Sequence, residues 1–333
     1  MAAGILLLTA VLGAVRFATG TPDSVFYLEM LQHFRGEVPR ESLEAPFAYR
    51  PGAPWLAAWL PLPPAHALAA LNLLSTAAAF LLAATIFSRI LADAWQTRVA
   101  LLLLIVSFGT VNYSSRALVE GPAFLVAAAG MWLLLNRRYL PFLVLVTVGV
   151  LVRESLLFLL LTALIWEVLL GRWRRAWWPC VMGVPPLLVL LAARGYIEQA
   201  PDYVWLPGLT RVWSNFQEPI AWATVSLTIA PLLAAYAYAK LASERPPPRL
   251  VDADRALLHA WIAATGAYLC FSITAAYMSG RFAWPMYLAL CPLIANGLVY
   301  TPLGRRIAGP LAALCFGRGA AAPRIHANGA RGD

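Results

Sequence analysis

Apolar residues run along this chain in long blocks separated by short polar connections. The blocks fall near residues 2–20, 65–88, 99–114, 118–135, 139–152, 155–171, 176–193, 219–239, 256–279 and 283–301. A bilayer core about 30 Å thick takes roughly 20 apolar residues per helical crossing. The pattern therefore predicts an all-α, polytopic transmembrane bundle of about ten spans. Uninterrupted aliphatic runs such as 99–106 do not alternate as the strands of a membrane barrel must, which excludes that class. Two connections are long, 21–64 and 194–218, and long loops in compact domains tend to be functional or disordered. Within the first, residues 24–34 carry Val25, Leu28, Met30, Leu31 and Phe34 at helical spacing, the pattern of an interfacial helix. Residues 55–62 are apolar and bounded by prolines, and are expected to lie along the membrane before the second crossing. No stretch is left for a soluble domain. Residues 1–316 are read as one transmembrane domain and 317–333, rich in Gly, Ala and Arg, as a disordered cytoplasmic tail.

Composition sharpens this picture. The chain of 333 residues is 61% hydrophobic and only 12% charged, against about 25% charged in soluble domains, with a mean hydropathy of +0.70. Its formal net charge of +9 would suit nucleic acid only if the basic residues formed a solvated patch. Instead they sort by side. Alternate connections collect 16 of the 25 basic residues on one face and 8 on the other. By the positive-inside rule the first face is cytoplasmic, and both termini lie there. Basic residues are almost all Arg, as in a GC-rich bacterial genome, so the expected location is the bacterial inner membrane. Residues 4–18 resemble a secretory signal, but no basic residue precedes them, and a retained first helix is expected. Cys180, Cys270, Cys291 and Cys315 are scattered singly, with neither zinc nor disulfide spacing.

The outer face collects the candidate chemistry. Asp23 follows the first helix directly, with Tyr27 one helical turn on, and the same loop ends in Tyr49-Arg50-Pro51-Gly52-Ala53-Pro54. Arg116 and Glu120 open the fourth span. Arg153 and Glu154 interrupt an apolar stretch, and the 14 residues between Arg138 and Arg153 barely cross a bilayer, which sets this pair slightly below the outer interface. Arg281 occupies a tight turn, Ser279-Gly280-Arg281-Phe282. Charges at such depth are costly and normally face a protein interior or aqueous cavity. Blander roles stand beside each: Asp23 as an N-cap, Arg153 and Glu154 as snorkelling corner residues, Arg281 as an interface anchor. Their assignment to one face gives acids beside several arginines, a combination suited to an anionic lipid phosphate and an acceptor hydroxyl. Tyr203 and Trp205 in the second long loop are expected either to cover this site and select the acceptor or to anchor the loop at the interface.

These motifs together resemble the GT-C superfamily of integral-membrane glycosyltransferases, and within it the small bacterial members related to lipopolysaccharide-core transferases and protein mannosyltransferases. The likeness rests on Asp23 with Tyr27, Tyr49-Arg50-Pro51, Glu120-Gly121-Pro122, Arg153-Glu154-Ser155, and Ser279-Gly280-Arg281-Phe282 with Pro285. It is strongest over residues 20–160 and returns near 280–295. Many relatives carry two adjacent acids in the first loop, whereas Ser24 follows Asp23 here. The resemblance implies a polyprenyl-phosphate-linked sugar as donor and an extracytoplasmic glycan, lipid or protein hydroxyl as acceptor. It makes Asp23 the general base and Arg50, Arg153 and Arg281 the phosphate ligands, with Tyr27, Glu120 and Glu154 in the same substrate site. No cofactor is expected. Asp23 and Glu120 leave room for a divalent ion, but His33, His66, His259 and His326 form no cluster that indicates one. No Gly-rich nucleotide fingerprint is present. Competing readings are a solute or lipid transporter and a non-catalytic scaffold. A transporter calls for mid-span ionisable groups or broken helices, and here Glu167 and the Val184-Pro185-Pro186 break supply few.

Overall fold

The computed structural model describes residues 1–196, 207–275 and 277–316. Among the described residues the regular structure is helical throughout, with no strand. The first helix, α1 (Ala2–Ala14), is followed by α2 (Ser24–Phe34), which has the range expected from its apolar spacing. α2 buries Tyr27, Met30 and Leu31. A short helix, α3 (Gly52–Ala58), then leads to α4 (Pro64–Ile90). Pro64 at the first helical position starts α4 without sacrificing a hydrogen bond. The chain continues as α5 (Ala94–Ile105) and α6 (Phe108–Tyr113). Asp93 caps α5 by accepting from the Gln96 amide at 2.7 Å, and Ser107 caps α6. Next come α7 (Glu120–Leu135), α8 (Tyr139–Gly149) and α9 (Phe158–Leu169). Arg89 of α4 donates to the Leu135 carbonyl and the Asn136 side chain, both at 2.7 Å, closing the C-terminal end of α7.

The second half comprises α10 (Trp177–Met182), α11 (Val184–Tyr196), α12 (Leu209–Phe216), α13 (Pro219–Leu241) and α14 (Asp252–Ala275). α15 (Tyr287–Leu298) and α16 (Gly309–Phe316) end the described chain. α4 packs along α7, α9 along α14, and α15 between α5 and α13. One apolar core runs through these contacts from Ile5 to Phe316.

Among the described residues four helical stretches are long and apolar enough to cross a membrane: α4, α10 with α11 (Trp177–Gly195), α13 and α14. α1, α5, α7 and α8 are apolar but shorter. The difference from ten full-length spans lies in how the apolar blocks break. Block 99–114 divides into α5 and α6 where Ser107 caps a new helix. Block 176–193 keeps its full length as α10 with α11, with its interruption at Gly183, the C-cap of α10, and with Pro185 and Pro186 in the first turn of α11, where proline is tolerated. α8 has 11 residues, about 16 Å at the helical rise. That is well short of the ~30 Å apolar layer, so the corner after it ends within the height of the bundle. Tail residues 317–333, expected to be disordered, lie outside the described residues.

Candidate functional site

Of the nine residues singled out in the sequence, seven meet at one end of the bundle. Asp23 stands before α2, Arg50 before α3, Glu120 in the first turn of α7, and Arg153 with Glu154 at the corner between α8 and α9. Arg281 lies in a short turn, Gly280–Phe282, that follows α14. Tyr203 and Trp205 lie outside the described residues.

Local packing explains the convergence. A Cβ on Gly121 would strike the Asn72 carbonyl, so only glycine lets the start of α7 press against α4. There the Gly121 amide donates to Asn72 Oδ1, while Asn72 Nδ2 donates to the Tyr113 carbonyl at 2.7 Å and the Arg116 carbonyl at 3.1 Å. Asn72 thus ties α4, the segment before α7 and the residue next to Glu120 into one joint. Gly280 does similar work, since a Cβ there would strike the Thr224 carbonyl and Thr228 hydroxyl of α13. Next to this turn Trp284 stacks on Phe124 of α7, with centroids 4.4 Å apart. The first loop reaches the α8–α9 corner through the Gly52 amide, which donates to the Leu151 carbonyl at 2.9 Å and brings Arg50 to Glu154.

The charges form two linked chains. Arg281 pairs with Asp23 and lies 3.6 Å from Glu120, and Glu120 also takes Arg153 at 3.0 Å. Arg50 pairs with Glu154 at 2.6 Å and donates to the Tyr27 hydroxyl at 2.8 Å. Adjacency of Arg153 to Glu154, and of Asp23 to Tyr27 across one turn of α2, joins the two. Glu120 is 2% exposed, Arg153 5% and Arg50 6%, burial that charges tolerate only when paired and hydrogen-bonded. Three carboxylates meet three guanidiniums here, so the network is neutral as a whole. Phe282 lies beneath two of the cations, 5.0 Å from Arg153 and 5.3 Å from Arg281. Burial alone would disfavour the Arg50 charge, but Glu154 and Tyr27 outweigh it and hold the group above its ordinary value. Burial of the Tyr27 phenol raises its pKa, keeping it a neutral hydrogen-bonding partner.

Two expectations change. Asp23 occupies the N-cap position of α2 but makes no capping hydrogen bond, and its Oδ2 faces Arg281 instead. Arg50, Arg153 and Arg281, which the resemblance assigns to lipid phosphate, are each engaged by a carboxylate. Arg116 stays outside the network and donates to Asn112 at 2.9 Å.

A groove of about 430 Å³ opens beside the network. Arg50, Glu154, Ser155 and Arg194 form its polar end, and Leu161, Leu190 and Phe271 line the remainder, between α9, α11 and α14. Arg194 lies over the Tyr49 ring at 5.3 Å, its Nε is buried without a hydrogen-bond partner, and among the described residues no carboxylate pairs with it. Asn72 and Arg194 were not singled out from the sequence. A lone Asn inside the apolar helix α4 was the signal for the first. For Arg194 position at the end of an apolar block gave no distinction from any interface arginine. Among the described residues no group of three or more His, Cys, Asp or Glu is placed to hold a metal ion. In comparisons with known proteins, no family model, no curated protein and no solved structure matches this chain.

Proposed function

We propose that this chain is a membrane glycosyltransferase that moves a sugar from a polyprenyl-phosphate carrier to an acceptor hydroxyl outside the cytoplasm. The reading includes a GT-C-like bundle of about ten crossings in a bacterial inner membrane, with both termini cytoplasmic and the charged end of the bundle outward. One observation carries it: a neutral network of buried charges, edged by the partly exposed acid Asp23, adjoins an apolar groove whose polar end holds an arginine with no carboxylate partner among the described residues. A polyprenyl phosphate has the matching form, a long apolar chain ending in an anion.

In this reading Asp23 takes the acceptor proton as the acceptor oxygen bonds to the anomeric carbon. The bond from that carbon to the phosphate oxygen breaks, and the polyprenyl phosphate leaves with the electron pair. Asp23 suits the role because its side chain is 23% exposed and its ion pair occupies Oδ2, leaving Oδ1 for the proton. Arg194, with Arg50 beside it, steadies the departing phosphate. Arg153, Arg281, Glu120 and Glu154 act chiefly by fixing Asp23 and Arg50 in place, a preorganisation that avoids rearrangement during reaction. The acceptor is a glycan, lipid or protein hydroxyl, chosen in part by Tyr203 and Trp205.

The test is to incubate the purified chain with labelled polyprenyl-phosphate sugars and membranes of the source cell. Label transferred to an acceptor, and lost on Asp23→Asn, supports the reading. Movement of intact labelled lipid between leaflets, without sugar transfer, would favour a lipid transporter instead.

A further inference from the structure

At the far end of the α8–α9 pair from Arg153 and Glu154, a second cavity of about 660 Å³ opens on the apolar flank, within the ~300–1,000 Å³ range of ligand sites. The 12 residues of α9 separate the two ends by roughly 18 Å. Leu143, Trp166, Met182 and Pro185 line the cavity, and Leu140 and Val181 at its edge are exposed side chains of the bundle surface.

One buried charge faces this apolar space. Glu167 is 3% exposed. Its Oε1 accepts from the Tyr139 hydroxyl at 3.0 Å, whereas its Oε2 is buried with no hydrogen-bond partner. Arg172 Nη1 stands 4.0 Å from that oxygen, beyond hydrogen-bonding distance, and also lacks a hydrogen-bond partner. Arg175 lines the cavity, and Trp178, stacked on Trp177 at 4.8 Å, stands at its edge. A buried carboxylate oxygen whose only described partner is an ion pair at 4.0 Å, with no hydrogen bond, is costly in an apolar wall, and a cation with N–H donors relieves the cost. The exposed arginine of the following loop supplies the opposite charge, at the level where tryptophans gather at a membrane interface.

We propose that this cavity holds a phospholipid whose headgroup bears a primary ammonium. The ammonium donates to Glu167 Oε2, the phosphate lies against Arg175, and an acyl chain follows the wall formed by Leu143, Met182 and Pro185. A phosphocholine headgroup has no N–H to give Glu167, and a phosphoglycerol headgroup has no cation. The charge pattern therefore selects among lipids that share the same chains. The site does not rest on the transferase reading, and the basic count assigns this end of the bundle to the cytoplasmic leaflet.

The full chain, purified in nonionic detergent and stripped of lipid, is titrated with phosphatidylethanolamine, phosphatidylcholine and phosphatidylglycerol of identical chains, with binding read by native mass spectrometry. Phosphatidylethanolamine is expected to bind about tenfold more tightly than either of the others, the scale of one charged hydrogen bond. Glu167→Gln keeps the acceptor for Tyr139 and should erase that preference. Arg175→Ala should weaken all three lipids. Leu143→Trp fills the wall and should reduce binding of all three whether or not the Glu167 variant folds. Equal binding of the three lipids by the unaltered chain overturns the proposal, as does a preference for phosphatidylglycerol or a phosphatidylethanolamine preference that survives Glu167→Gln.

Discussion

The bundle buries carboxylates at both of its ends and treats them differently. At one end Glu120 is held by Arg153 at 3.0 Å and Arg281 at 3.6 Å, and Glu154 by Arg50 at 2.6 Å. At the other, among the described residues, Glu167 has no cation nearer than Arg172, at 4.0 Å. The first arrangement is a scaffold: its charges compensate one another and fix side chains that must not move. The second is looser, a buried acid whose ion pair with Arg172 is stretched to 4.0 Å. Burial of a charge is thus not by itself the mark of a binding site. Whether its partners are already in place distinguishes the two ends.

The largest expected effect breaks the closed end. Glu120→Ala leaves Arg153 and Arg281 buried beside an empty position, and loss of one member of a buried pair costs about 3–5 kcal/mol. Glu167→Gln, at the open end, should cost less than about 1 kcal/mol in lipid-free detergent, because Arg172 is partly exposed and its contact is weak. Melting of both variants in detergent makes the comparison, and equal losses would show that the two ends do not differ. Asn72→Ala comes next. It removes the joint between α4 and α7 and strands the carbonyls of Tyr113 and Arg116, at about 1–3 kcal/mol, read in the same melts. Arg194→Ala should raise the KM for the lipid donor about tenfold with melting unchanged, as expected of a cation that no acid among the described residues holds. A further small effect belongs to Tyr27→Phe. It removes one hydrogen bond from Arg50 but leaves Glu154 in place, and should cost about 1 kcal/mol in the melt.

Much of the closed end was legible in the sequence because depth and side can be counted. Charges at the ends of apolar blocks, sorted by alternating connections, singled out Asp23, Arg50, Glu120, Arg153, Glu154 and Arg281 before any contact was known. Periodicity alone gave α2 its range, since its apolar residues recur at helical spacing over a short polar-flanked stretch. What counting could not reach was pairing. Arg50 and Glu154 are 104 residues apart, and nothing local distinguishes an arginine free for phosphate from one engaged by an acid. For the same reason the sequence could not choose between capping and other roles for Asp23, which occupies the N-cap position but turns its carboxylate to Arg281. Helix breaks within apolar blocks were likewise hidden. Val106 and Gly183 end helices through backbone geometry that a hydropathy pattern averages away.

The central claim is that a partly exposed Asp23, held by Arg281 at the edge of a closed network, acts as the general base of sugar transfer. Its most direct test is single-turnover transfer from a labelled polyprenyl-phosphate sugar by the purified chain, with Asp23→Asn compared at equal melting temperature. The account predicts a fall in the transfer rate of about 10²- to 10⁴-fold, with donor binding preserved through Arg194. An Asp23→Asn chain that transfers sugar at the unaltered rate would contradict it.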